Sequence, residues 1–80
     1  MRKFKDNSNI CGHIIENARL SKNLSREDLS NKLQLMGISV DRSFVYRIEK
    51  QTSILKDFEL LAICEILQIN MDELKPLLKR

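Results

Sequence analysis

Apolar residues recur along the chain at intervals of three and four positions, the spacing that places side chains on one face of an α-helix. This spacing appears in several short stretches. The residues that carry it are Cys11, Ile15, Ala18, Leu29, Leu33, Val45, Ile48, Leu60, Ile63, Cys64 and Leu67. With only two glycines and one proline, the chain offers few places for strands to turn. The pattern therefore predicts an all-α protein.

Polar residues that can cap a helix precede the apolar stretches and predict where each helix begins. Caps are predicted at Asn9, Ser25, Asp41, Asp57 and Asn70. The first four helices are predicted to end at about Lys22, Met36, Lys50 and Gln68. The last helix is expected to be short, because Pro76 lies just past its first turn. Five short helices with tight connections predict a compact orthogonal bundle.

Three residues within or after the predicted helices have a special conformational role. Gly12 lies inside the first helix, where glycine costs about 1 kcal/mol relative to alanine. We therefore expect another element to approach it closely. Asn23 follows that helix and suits the left-handed conformation that ends a helix. Gly37 is expected to end the second helix, which leaves residues 37–40 as the turn before the third.

Composition limits the class of protein. The chain has 80 residues, of which 42% are apolar and 31% charged, with a net charge of +3. This predicts one folded domain at residues 9–75, between a flexible basic arm at 1–8 and a tail at 76–80. No apolar run could span a membrane and the charged start differs from a signal peptide, so we expect a cytoplasmic protein. The positive charge favours an anionic partner.

Residues that could perform catalysis or bind a metal are few and scattered. Cys11, Cys64 and His13 supply too few ligands for a zinc site, so we expect free thiols and an uninvolved histidine. No nucleophile–base pair and no glycine-rich phosphate loop is recognisable. The sequence predicts neither an enzyme nor a cofactor-binding protein. Without a separate effector domain, no small-molecule effector is expected.

The outward face of the predicted third helix is polar and basic, while Val45 and Ile48 lie on its inward face. The outward residues are Arg42, Ser43, Tyr46, Arg47 and Lys50. A helix presented in this way fits the major groove of DNA, where arginine can bond bidentately to guanine. Arg26, in the first turn of the second helix, would lie over the DNA backbone, where a phosphate can bind.

Several segments in this order resemble the XRE family of helix-turn-helix proteins, which includes Cro and the lambda-type repressors. The similar segments are residues 9–12, 15–19, 24–30, 32–33, 42–49 and 57–64, with Leu67. The resemblance implies a lambda-repressor-like five-helix bundle with the helix-turn-helix at helices two and three. It also implies a transcriptional regulator, with repression favoured, that binds double-stranded DNA at a palindromic operator as a homodimer.

The resemblance also implies roles for individual residues. Base contacts are implied for Arg42, Ser43 and Arg47, and Tyr46 joins them as a candidate because it shares their helix face. Phosphate contacts are implied for Arg26 and Lys50. A structural ion pair is implied between Arg19 and Glu49. Such a pair would hold the recognition helix to the rest of the domain.

The chain departs from the family pattern at three places. Arg26 stands where the family usually has glutamine. The turn is long, and we interpret residues 34–36 as an extension of the second helix. Phe44 is large where small residues are common, and two interpretations stay open: contact with a thymine methyl group, or packing beside the turn.

Three apolar residues, Phe58, Leu61 and Ile66, lie outside the inward stripe of the fourth helix. We interpret them as a dimer contact, because proteins of the resembling fold commonly pair through their C-terminal helices. Additional core beneath the last helix is the alternative. For the whole chain, the second hypothesis is a protein-interaction module of this fold without DNA binding, such as an antirepressor or an antitoxin-type partner. The basic third-helix face argues against it.

Overall fold

The computed structural model describes residues 2–78, which form five α-helices and a final 3-10 segment. The helices are α1 (Gly12–Ser21), α2 (Arg26–Leu35), α3 (Arg42–Glu49), α4 (Asp57–Leu67) and α5 (Met71–Leu74), followed by the 3-10 segment Lys75–Leu78. Over this range, the only strand-type pairing is an isolated bridge between Phe4 and Asn7. The prediction of an all-α five-helix fold is confirmed.

One apolar core lies between the helices. The most deeply buried apolar side chains are Ile15 of α1, Leu29 and Leu33 of α2, Val45 and Ile48 of α3, and Ile63 of α4. These are inward positions that the helical spacing predicted. Phe44 is also buried, at 8% exposure, and belongs to the same core. Of its two interpretations, packing is therefore correct.

Side-chain caps begin three of the helices as predicted. Ser25 accepts a hydrogen bond from the backbone N–H of Asp28, whose carboxylate accepts one from the backbone of Ser25. Asn70 and Glu73 form the same reciprocal pair at α5. Asp41 accepts a backbone N–H in the first turn of α3. These bonds satisfy donors that have no partner inside the helix.

The predicted start of the first helix at Asn9 is wrong, since α1 begins at Gly12. The side-chain oxygen of Asn9 does accept a backbone N–H, that of Cys11. Its amide nitrogen donates to the carbonyl oxygens of Ile48 and Ser53 at 3.1 and 3.0 Å. Asn9 therefore ties the segment before α1 to the end of α3 and the loop that follows.

Most helix ends agree with the prediction, and one further start needs a small correction. Asp57 is the first residue of α4 rather than its cap, because Lys56 occupies the cap position. Asn23 has the expected left-handed conformation, and Gly37 also has a positive φ, of 88°. Gln68 ends α4 in the left-handed conformation. α2 ends at Leu35, one residue before the predicted Met36, so the connection between α2 and α3 is one residue longer than the sequence predicted.

Gly12 marks a close approach between α1 and the end of α3. A Cβ atom at this position would lie 2.6 Å from the carbonyl oxygen of Ile48 and 2.7 Å from that of Glu49. Both distances are too short for a real carbon–oxygen contact. The expectation of a close neighbour is confirmed, and glycine is needed here because the neighbour is backbone.

The segments at the two ends of the described chain contact other parts of the backbone. Phe4 and Asn7 exchange backbone hydrogen bonds, and the N–H of Ser8 donates to the carbonyl of Gln51 just after α3. Pro76 lies in the 3-10 segment that continues α5. The flexibility of the arm at 1–8 and the boundary of the tail at 76–80 stay predictions. Met1 and residues 79–80 lie outside the described residues.

Candidate nucleic-acid interface

Helix α3 has one buried face and one face in solvent. Val45 and Ile48 are each 1% exposed and pack into the core. The predicted recognition residues are all exposed: Arg42, Ser43, Tyr46, Arg47 and Lys50. Because α3 packs against both α1 and α2, its solvent face has a fixed direction relative to the domain.

An open groove between the start of α2 and the solvent face of α3 brings most predicted site residues together. Its lining consists of Arg19, Ser25, Arg26, Glu27, Arg42, Ser43, Tyr46 and Arg47. Lys50 lies beside the groove, with its Nζ atom 5.6 Å from the centroid of the Tyr46 ring. Over residues 2–78, the ion pairs do not include Arg42, Arg47 or Lys50. Their charge is therefore open to an external anion.

The ion pair between Arg19 and Glu49 is present and buried. Arg19 donates from Nε to Glu49 Oε2 at 2.7 Å and from Nη2 to Oε1 at 3.1 Å. Its Nη1 atom donates to the carbonyl of Leu24 at 2.8 Å. The hydrogen bonds to Glu49 raise the pKa of Arg19 above its ordinary value. The pair joins α1 to the last residue of α3, so it fixes α3 at that end.

The side chain of Arg26 is bound within the domain. Its Nε donates to Glu49 Oε1 at 3.0 Å and its Nη2 to Glu16 Oε2 at 3.3 Å. Its Cζ atom lies 5.0 Å from the centroid of the Tyr46 ring. Sequence reasoning expected a phosphate contact here and missed these partners. One signal for Glu16 was available, since it lies three positions before Arg19 and therefore on the same side of α1.

These residues form a four-member charge cluster, Glu16, Arg19, Arg26 and Glu49. Glu49 is fully buried and accepts hydrogen bonds from both arginines. Two carboxylates and two guanidinium groups balance in formal charge, which limits the cost of placing Glu49 out of water. The cluster connects α1, α2 and α3 next to the groove.

The proposed dimer residues divide into two groups. Phe58 and Leu61 are 52% and 66% exposed, whereas Ile66 is partly buried and packs against the core. Phe58 and Leu61 line a shallow apolar depression with Met36 and Ile38, which sequence reasoning did not include. Ile66 therefore fits the alternative interpretation, additional core, better than a surface contact.

Other chemistry is limited in the part of the chain that the structure describes. It contains no group of three His, Cys, Asp or Glu residues that could hold a metal ion. Cys11 and Cys64 are free thiols, and burial raises the pKa of both. A raised pKa keeps a thiol protonated and weakly reactive at neutral pH. In the same range, no helix has the length and apolar character needed to cross a membrane.

A capped helix, a turn and a second helix with an exposed basic face together define a helix-turn-helix DNA-binding domain. A family model described as helix-turn-helix, of the XRE type, matches residues 15–74, which is most of the chain. The chain belongs to the XRE-type helix-turn-helix family, a family of DNA-binding transcription regulators and not of enzymes. No curated protein and no solved structure is significantly similar to it.

Proposed function

We propose that this protein is a cytoplasmic transcriptional repressor that recognises a specific duplex sequence through α3. The observation that carries the proposal is the exposed face of α3, on which Arg42 and Arg47 have no ion-pair partner among the described residues. Buried Val45 and Ile48 hold that face outward. Repression is favoured because occupying a promoter needs only stable DNA binding, the property that this surface supports.

In this proposal, the groove-facing residues of α3 read base edges. Arg42 and Arg47 offer planar guanidinium groups that can bond to O6 and N7 of guanine. Ser43, in the first turn of α3, can donate to or accept from a base. Tyr46 offers an aromatic ring that can contact a thymine methyl group. Together these four residues set the sequence preference.

Phosphate contacts supply much of the affinity. Lys50 is the C-cap residue that follows α3, so its charge lies beyond the base-reading residues. Arg26 uses two N–H groups within the domain, and a guanidinium group has five, so others remain for a phosphate near the start of α2. Each such contact releases counterions from DNA and makes binding dependent on salt.

The regulator is proposed to bind as a homodimer on a palindromic operator. Two α3 helices would enter successive major grooves about 34 Å apart. The proposed contact surface is the apolar depression that includes Phe58, Leu61, Met36 and Ile38. Exposed apolar residues that lie together commonly mark a protein contact.

The direct test is selection of bound sequences from random duplexes at near-physiological salt. The proposal expects enrichment of a palindromic motif by the wild-type protein. Arg42→Ala should lose selectivity at one base pair of each half-site. Lys32→Ala is the matched control, because it removes one exposed positive charge of α2 outside the groove. A wild-type protein that enriches no motif would contradict the proposal.

A protein-interaction module without DNA binding is the second candidate. The observation in its favour is the exposed apolar pair Phe58 and Leu61, which a partner other than a second copy could cover. This candidate expects no enriched duplex and no effect of Arg42→Ala on partner binding. The same selection experiment therefore separates the two candidates.

A further inference from the structure

Tyr46 lies close to two positively charged side chains on the solvent side of α3. Its ring centroid is 5.0 Å from Arg26 Cζ and 5.6 Å from Lys50 Nζ, both within the range of cation–π attraction. The side of the ring toward α2 is therefore covered by a residue of another helix. Tyr46 is still 49% exposed, so the ring remains accessible to a ligand in the groove.

Arg26 is held in place by two carboxylates. Glu49 accepts from Nε and Glu16 from Nη2, and the Arg26 side chain is 32% exposed. Glu49 is itself fixed by Arg19 and fully buried. A planar guanidinium bound at two of its nitrogens has little freedom to rotate. It therefore presents a fixed surface to the Tyr46 ring.

We propose that Arg26 is a positioning residue that sets the conformation of Tyr46 and, through it, the base preference at the position that Tyr46 contacts. We name this interaction the Arg26–Tyr46 contact. Its role in base preference rests on the proposed DNA-binding function. The contact itself is a property of the free protein, so it can be tested with no DNA present.

The first experiment measures the mobility of Tyr46 in the free protein. The chain has one tyrosine and no tryptophan, so tyrosine fluorescence reports Tyr46 alone. Arg26→Gln is expected to increase the fast component of the time-resolved anisotropy decay. Lys32→Gln makes the same charge change on the same helix and should leave the decay unchanged. An unchanged decay in Arg26→Gln would overturn the proposal.

The second experiment uses Arg26→Lys, which keeps the charge for a phosphate and loses the planar group that contacts Tyr46. Affinities are measured for the selected operator and for duplexes with one base pair changed. In the wild-type background, Arg26→Lys should reduce discrimination at one base pair about tenfold, within the usual range for one position. In a Tyr46→Leu background it should change discrimination by less than about twofold. Equal losses in both backgrounds would overturn the proposal.

The two experiments also separate the possible failures. If the wild-type protein binds no duplex, the proposed function fails, and the anisotropy measurement still decides the Arg26–Tyr46 contact. If the wild-type protein binds DNA but the losses are equal in both backgrounds, the regulator proposal stands and the positioning role fails. Thermal unfolding shows whether each variant is folded. All of these variants keep Arg19 as a partner of Glu49. If Arg26→Gln does not fold, Arg26→Lys takes its place in the anisotropy measurement.

Discussion

Replacing Arg19 by methionine tests whether the buried charge cluster stabilises the domain. The substitution removes two hydrogen bonds to Glu49 and one to the carbonyl of Leu24. Methionine keeps much of the volume of the arginine stem, so the packing change is small. Glu49 remains fully buried, with Arg26 as its one remaining cationic partner among the described residues.

The expected loss of stability is large for a domain of this size. Removing one partner of a buried ion pair typically costs about 3–5 kcal/mol, because the other charge stays out of water. Since Arg26 still donates to Glu49 Oε1, we expect the lower end, about 3 kcal/mol. For a domain of 60–100 residues, that corresponds to a fall in Tm of roughly 12–24 °C.

Urea and thermal unfolding at pH 7, followed by circular dichroism, measure this loss. The double variant Arg19→Met, Glu49→Leu is the decisive control, because it removes the buried carboxylate together with its partner. We expect it to regain most of the stability, as apolar replacements of buried ion pairs often do. A loss below about 1 kcal/mol in the single variant, or additive losses in the double variant, would refute the reasoning.

Gly12→Ala should cost about 1–3 kcal/mol in urea unfolding, because its Cβ would meet backbone oxygens of α3; wild-type stability would contradict the close approach. Arg42→Ala should cost about 1–3 kcal/mol of binding free energy per half-site and weaken the sequence preference at one base pair. Titration against matched and mismatched duplexes measures both effects. The hydrogen bond from the backbone N–H of Ser25 lowers the pKa of Asp28 below its ordinary value of 3.8. The ionised carboxylate of Asp28 therefore stabilises the folded protein above that pH, and this stabilisation is lost as the pH falls through the lowered pKa. Asp28→Asn should therefore lose less stability than wild type between pH 5 and 2. Equal losses of stability in the two proteins would show that the Asp28 carboxylate is not the source of this pH dependence. Phe58→Ser with Leu61→Ser should shift sedimentation toward the monomer, and an unchanged mass would place the dimer contact elsewhere.

The sequence was most informative where a feature depends on neighbouring residues. The capping pair at Ser25 and Asp28 spans three positions, and the inward positions Leu29 and Leu33 span four, so both could be predicted from local spacing. Asn9 was placed wrongly because its amide partners follow it by 39 and 44 positions. Contacts at that separation depend on how the helices pack, which spacing along one helix does not contain.

In the candidate site too, some features could be predicted from local spacing and others depend on how the helices pack. The exposed face of α3 could be predicted because Val45 and Ile48 identify the buried side of that helix. The resemblance to the family supplied the Arg19–Glu49 pair. It could not supply the interaction of Arg26 with Glu16, because the family usually carries glutamine at the position of Arg26. That contact depends on the relative placement of α1 and α2.

The burial of Glu49 has a consequence for how the regulator would respond to ionic conditions. Mobile ions screen charges in water but hardly reach a carboxylate enclosed by protein. Added salt would therefore weaken the attraction between the basic face and DNA while leaving the orientation of the reading helix unchanged.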